Sequence, residues 1–420
     1  MPFLVSSLRI SRTCLLPLCV AACGSSSETS SDGAVPDVPT LPEEQDQCTT
    51  SVVAGAGDPW TTMALIDDTT DPVRPVVHKG ADVVTGIYYA SADQGYLVSQ
   101  NDGLLNARGG AVFKASAGAV TSIAFSGDET GVRHAGSINF VGLERSPTGV
   151  IAMAYATEMI ASSDGGATFT LQSNAANGRF GIDRVLAFRV TASGTTIVHD
   201  NGVISTASAA PGPDTTYVDV WKSSSSNAMC PDGPQSSTTP TTRSSAYVSP
   251  GRTIVAYTAA PSSQPMVCVS RDGGTTFAAR VLTVPAVNQT ARPTGVMFAT
   301  TKIGLVWYGA GATPAYLRRT TDGGTTWTEV ALPADLASHN LDLPGGYFAT
   351  DCMHGWLTGY DQTTHAAVLL TTGDAGATWA PVDGVGAAVD AAAGDKLYSV
   401  FALDTAHIWL GGARGVVLHN

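Results

Sequence analysis

Short runs rich in β-branched and aromatic residues recur along the chain, bounded by Gly, Asp, Ser or Pro. One set carries an aromatic near its end: GIYYA (Tyr89), SINFV (Phe140), VLAFR (Phe188), SSAYV (Tyr247), GVMFA (Phe298), GGYFA (Phe348) and YSVFA (Phe401). A second set follows each of these closely: GYLV, VIAMA, TIVH, TIVAY, GLVWY, GWLTG and IWLGG. Runs such as GLVWY are apolar at odd and even positions alike, which predicts strands covered on both faces. No helical period of note intervenes. The pattern predicts an all-β chain built from one repeated unit.

A third series marks where each unit turns back. SSDGGATF (Ser162 to Phe169), SRDGGTTF (Ser270 to Phe277), TTDGGTTW (Thr320 to Trp327) and TGDAGATW (Thr372 to Trp379) share Ser/Thr-x-Asp-x-Gly-x-Thr-aromatic. Asp-Gly-Gly between β-rich runs predicts a tight antiparallel turn, because Gly accepts positive φ and Asp bonds the amides of its own turn. The closing aromatic then anchors the next sheet. Weaker copies are NARGGAVF (Asn106 to Phe113), GPDTTY (Gly212 to Tyr217) and GAGDPW (Gly55 to Trp60). The Asp positions, or their substitutes, fall at Gly55, Arg108, Asp164, Gly212, Asp272, Asp322 and Asp374. Both ladders count seven units, and Asp164, Asp272, Asp322 and Asp374 are expected as structural staples.

The final unit, YSVFALD, HIWLGG and GVVLHN, reaches Asn420 where another turn would begin. Its missing strand is supplied by the segment around Thr49 to Met63. Pairing the two ends removes an exposed sheet edge. The expected fold is a single seven-bladed β-propeller over 48–420, closed by its N- and C-terminal strands in the last blade. Irregular inter-blade loops are expected at 64–82, 115–136, 222–243 and 380–395.

The turn motif resembles the Asp-box, or bacterial neuraminidase repeat, of sialidases, xyloglucanases and photosystem II stability/assembly factors, all of them β-propellers. The resemblance covers nearly all of 48–420 and is closest to the seven-bladed assembly-factor type. It implies a rigid scaffold that binds protein or glycan. Sialidases carry an Arg-Ile-Pro motif near their first blade; the nearest strings here, around Arg74 and Arg189, lack it. Hydrolysis by paired carboxylates needs two acids about 5–10 Å apart, and the sequence singles out no such pair. Asp67, Asp68 and Asp71 read as a solvated loop, and His199 and His407 as packed or loop residues. No catalytic residue, metal site or cofactor is therefore assigned, and a sialidase-like or related Asp-box glycoside hydrolase stays as the alternative function.

Composition adds an address. Arg9 and Arg12 precede the short apolar run CLLPLCVAA, the layout of an export signal at 1–22. Val20 to Cys23 resembles the lipobox of bacterial lipoproteins, which implies a lipid on Cys23. Gly24 after it implies outer-membrane sorting, at the periplasmic or cell-surface face. Residues 23–47, rich in Ser, Pro and acids, read as a disordered tether with a reach on the order of 27 Å. The formal charge of −13 and only five Lys leave no basic patch for nucleic acid. Four further Cys suggest two disulfides, Cys48 with Cys352 and Cys230 with Cys268, with other pairings open. The expected protein is a monomeric, membrane-tethered binder of an envelope protein or glycan. Its binding face is expected on segments 64–82, 115–136 and 222–243.

Overall fold

In a computed structural model of the protein, the chain divides between Pro39 and Thr40, and all that follows concerns Thr40–Asn420. The described residues are Cys48, 59–66 and, with interruptions in the loops, 82–420. The expected signal and tether, with Cys23, lie outside them, as do Asp67, Asp68, Asp71 and Cys230.

Strand β1 (Thr61–Ala64) comes first. Then β2 (Asp82–Ser91), β3 (Gln94–Asn101), β4 (Ala111–Ser116) and β5 (Ala119–Ser126) form an antiparallel four-stranded sheet in chain order. The same order recurs in β6 (Phe140–Arg145), β7 (Ile151–Tyr155), β8 (Glu158–Ser162) and β9 (Thr170–Gln172). It recurs again in β10 (Val185–Thr191), β11 (Gly194–His199), β12 (Ile204–Ala207) and β13 (Val218–Trp221). Next come β14 (Thr242–Ser249), β15 (Arg252–Ala259), β16 (Gln264–Ser270) and β17 (Ala278–Val281). They are followed by β18 (Pro293–Phe298), β19 (Gly304–Tyr308), β20 (Tyr316–Thr320) and β21 (Thr328–Val330). The sixth group is β22 (Leu341–Phe348), β23 (Gly355–Asp361), β24 (Ala366–Thr372) and β25 (Ala380–Pro381). Finally β26 (Leu397–Asp404), β27 (His407–Gly412) and β28 (Val416–His419) take β1 as their fourth strand.

The first strand of each sheet contacts the first strands of two neighbours. The contacts run β2–β6–β10–β14–β18–β22–β26 and return to β2. This is an all-β propeller. The return is made by residues far apart in sequence: Thr61 pairs with His419 and Ala64 with Val416. Thr61 Oγ1 also donates to the His419 carbonyl at 3.0 Å.

Apolar side chains fill the space between sheets, as two-sided strands require. Leu305 and Leu317 pack with Leu341, Leu357 and Leu370 from the next sheet. At the closing seam Met63, Tyr89, Phe401, Trp409 and Val417 share one cluster. Burying a side chain of this size stabilises by roughly 1.5–3 kcal/mol.

A local device repeats inside the sheets. Phe298 pairs with Gly304 and Phe348 with Gly355, and Tyr89 with Gly95. In each case a Cβ on the glycine would fall 2.3–2.5 Å from the aromatic ring. The ring occupies the volume a side chain would need, so glycine begins or nearly begins the second strand. Phe140 departs from this ladder. It pairs with Tyr155 at the far end of β7, whereas Phe188, Tyr247 and Phe401 pair with Ile197, Ile254 and Trp409 nearer the start or middle of their second strands.

Three loop expectations change. NARGGAVF does not turn from third to fourth strand, because Ala111–Phe113 already lie in β4 and the turn follows Ser116. Gly118, with φ 78°, supplies the left-handed residue there. β5 then takes up 119–126 of the stretch expected as loop 115–136. Segment 380–395 holds α1 (Val385–Ala391), a helix the pattern did not show. Val385 and Val389, four residues apart, bury one face of it against β24 and the edge of the closing sheet.

Candidate functional site: acid-capped turns and a pocket at the closing seam

The four strong turn motifs join third to fourth strands, at β8–β9, β16–β17, β20–β21 and β24–β25. Their carboxylates are consumed locally. Asp322 Oδ1 accepts from the amides of Thr325 and Thr326, both at 2.9 Å, and from Thr320 Oγ1 at 2.8 Å. Its Oδ2 accepts from Thr326 Oγ1 at 2.7 Å. Asp164, Asp272 and Asp374 accept from the preceding Ser or Thr hydroxyl and from the amide and hydroxyl of the Thr four residues on. Burial alone would raise the pKa of Asp322, but bonds from Thr326, Thr320 and Thr325 outweigh it and hold the group at about 2. The same balance lowers Asp374, through Thr378, Thr372 and Ala377.

Neighbouring turns are tied to one another. Arg271 Nη2 donates to the Asp322 carbonyl at 2.8 Å and to Thr325 Oγ1 at 2.6 Å. Arg319 Nε donates to the Ala375 carbonyl at 2.9 Å. Turns between first and second strands use a related cap. Asp351 accepts the His354 amide at 3.0 Å and faces its Nδ1 at 2.5 Å; Asp404 and His407 repeat the arrangement at 2.9 Å. His407 is thus a turn residue, and His199 is buried beside Ser205, with Nε2 3.3 Å from the hydroxyl.

Cys48 and Cys352 are disulfide-bonded, with Cα atoms 5.4 Å apart. The bond ties the segment before β1 to the β22–β23 turn. Cys268, buried in β16, is also disulfide-bonded, whereas Cys230 lies outside the described residues. Among the described residues no group of three or more His, Cys, Asp or Glu could hold a metal ion.

A pocket of about 540 Å³ opens between the β22–β25 sheet and the closing sheet. Pro59 and Trp60 enter it from the foot of β1, Trp356 from β23, and Asp383 from the approach to α1. Thr371, Thr405 and Asn420 add polar edges. Asn420 is fixed by two bonds to Ile408: its Oδ1 accepts the Ile408 amide at 3.0 Å, and its amide donates to the Ile408 carbonyl at 3.2 Å. Trp356 is buried and Trp60 half-buried. Volume and lining fall within the range of small-ligand sites, about 300–1,000 Å³ and mostly apolar. Trp60 was legible as the aromatic of a degenerate turn motif. The pocket was not, because Trp356, Asp383 and Asn420 meet only through the sheet closure.

The loops expected to bind, 64–82, 115–136 and 222–243, lie largely outside the described residues. Where they are described, 64–66, 82, 115–116, 118–126 and 242–243 belong mostly to strands or their ends.

No protein-family profile and no curated protein match the chain. Among solved structures it is similar to YCF48 from Cyanidioschyzon merolae, at 13% identity and a TM-score of 0.54, over 86% of this chain and 98% of that one. A structure of YCF48 bound to D1 peptide matches at 13% identity and a TM-score of 0.53, over 88% and 99%. The GH74 xyloglucanase from Xanthomonas campestris matches at 14% identity and a TM-score of 0.52, over 86% of this chain and 53% of that one. Identities this low speak to the propeller fold alone.

Proposed function

We propose that the protein is an exported, lipid-anchored, non-catalytic propeller that binds a protein or glycan partner at the cell envelope. The carrying observation is the seam pocket, which is aromatic-walled and has, among the described residues, a single carboxylate, Asp383, in its lining. That composition suits holding a ligand by apolar contact and a few oriented hydrogen bonds. It does not suit hydrolysis by two facing carboxylates. The acids of the turn motifs offer no substitute pair, since each is spent within its own turn. One similar structure, YCF48, is bound to a peptide, which favours a protein ligand; another is a xyloglucanase, which keeps the glycoside hydrolase as the alternative.

The finer architecture belongs to the same proposal. Seven blades are supported by the seven four-stranded sheets and the cyclic contacts of their first strands. The Asp-box reading is supported by the shared hydrogen bonding of Asp164, Asp272, Asp322 and Asp374. Cys23 carries the lipid, residues 23–47 form the tether, the outer membrane is the destination, and the domain acts as a monomer without cofactor. These rest on the sequence.

Affinity capture from the native envelope by wild-type protein and by Trp60→Ala, alongside a panel of chromogenic glycosides, tests the reading. Capture that depends on Trp60, with no glycoside turnover, is expected. Turnover that survives purification to homogeneity would replace the scaffold reading with the hydrolase.

A further inference from the structure

A second pocket, about 200 Å³, lies between two adjacent acid-capped turns and is lined by Arg271, Arg280, Thr276, Phe277, Gly324 and Thr325. Both guanidinium groups converge on one residue. Arg271 Nη2 reaches Thr325 Oγ1 at 2.6 Å, and Arg280 Nε reaches the Thr325 carbonyl at 3.0 Å. Their remaining protein bonds go to backbone carbonyls: Asp322 and Gly323 for Arg271, and Ala279 for Arg280. Among the described residues, neither is paired with a carboxylate. The nearest acids in sequence, Asp272 and Asp322, are turned inward to their own Thr and amide donors. Carbonyl oxygens fix the positions of the two cations without neutralising them. Arg271 Nε and Nη1, and Arg280 Nη2, keep their hydrogens for another acceptor.

We propose that this pocket binds one small oxyanion group, a sulfate, phosphate or carboxylate. Two held guanidiniums side by side repel each other, and an oxyanion between them removes that repulsion while accepting charge-assisted bonds from both. The convergence of both guanidiniums on Thr325 suits one such group, with room for solvent beside it. The overall negative charge of the chain does not prevent this, because at physiological salt charges beyond about 8 Å are largely screened. The site is separate from the Trp60 pocket, so Trp60→Ala leaves anion binding unchanged and loss of anion binding leaves Trp60-dependent capture unchanged.

Equilibrium dialysis of the purified full chain against radiolabelled sulfate, at constant ionic strength held with chloride, tests it. Saturable binding of one sulfate per chain is expected, with displacement by inorganic phosphate and by acetate. Arg280→Gln and Arg271→Gln should each weaken it by at least about tenfold, as loss of a charge-assisted bond implies. Arg414→Gln, distant from the pocket, should bind as wild type. Arg271→Gln also removes a tie between turns, so its melting curve is recorded beside it; Arg280→Lys, which keeps the charge, should retain partial binding. Absence of saturable uptake, or uptake equal in wild type and both Gln variants, overturns the proposal.

Discussion

Thr326 closes both ends of the Asp322 carboxylate, its amide donating to Oδ1 at 2.9 Å and its hydroxyl to Oδ2 at 2.7 Å. One residue four positions downstream thereby engages both oxygens, and Thr320 and Thr325 add further bonds to Oδ1 in the turn between β20 and β21. Asp322→Ala strands those donors, though solvent can reach them. A loss of roughly 1–3 kcal/mol is expected in urea melts, with unchanged binding by the folded protein. Unchanged stability would show the carboxylate is not a staple.

Acid should reach these turns late. The folded pKa of Asp322, about 2, lies below its ordinary value of 3.8. A depressed carboxylate contributes stability that is full above the unfolded pKa and is lost as pH falls through the folded one. Asp351, Asp361 and Asp374 are shifted in the same direction. The part of the stability that these carboxylates supply should thus hold down to about pH 4 and fall between there and about pH 2. His419, whose pKa burial and His407 lower from 6.5, adds a separate loss that begins below that value. A midpoint falling only between pH 7 and 5 would assign acid sensitivity to other groups.

The glycine at the head of β19 is there for the ring of Phe298. Gly304→Ala places a Cβ 2.5 Å from that ring and should cost roughly 1–3 kcal/mol by overpacking. Phe298→Leu has its own cost, but the double variant should be more stable than the two losses added together. Simple additivity in the double-mutant cycle would show that the two sites do not compete for space.

Cys352→Ser releases the segment before β1 from the β22–β23 turn. The bonded residues are 304 positions apart, a separation for which the chain-entropy view gives an upper figure of roughly 5–6 kcal/mol, and removing a native bond typically costs roughly 2–5 kcal/mol. Reduction of the wild type, which also opens the bond at Cys268, should cost more than the variant does, and the variant should be less sensitive to reductant. A variant as stable as oxidised wild type would make the bond incidental.

Met63 is buried to 2% and pairs with Val417. Met63→Ala should cost roughly 2–5 kcal/mol and loosen the closing sheet first. Hydrogen exchange should then rise in β1 and β28 before it rises in β18–β21. Uniform loss of protection would show that the seam is no weaker than the rest.

Sequence made the strand ladder legible because each strand announces itself locally. Two-sided apolar runs, aromatic–glycine pairs and Asp-Gly turns are encoded within a few residues of one another. Phe140 shows where that fails, since spacing alone cannot report which end of a strand an aromatic occupies. NARGGAVF fails for a similar reason: a Gly pair before an aromatic marks a turn without saying which turn. Helix α1 escaped because seven residues bury only Val385 and Val389 in one stripe. Both pockets were illegible, because each is made by side chains from separate sheets or successive turns that only the ring brings together.

The pairing of β1 with β28 also sets an order of events. Thr61 leaves the ribosome 358 residues before His419, the residue it bonds. At synthesis rates of about 5–20 residues per second, β1 waits on the order of 20 to 70 s for its partner. Throughout that interval it is a strand without a sheet, free to pair with any passing chain. The stretch that carries β28 is thus the one that ends this exposure, and slow elongation anywhere between the two strands would lengthen it.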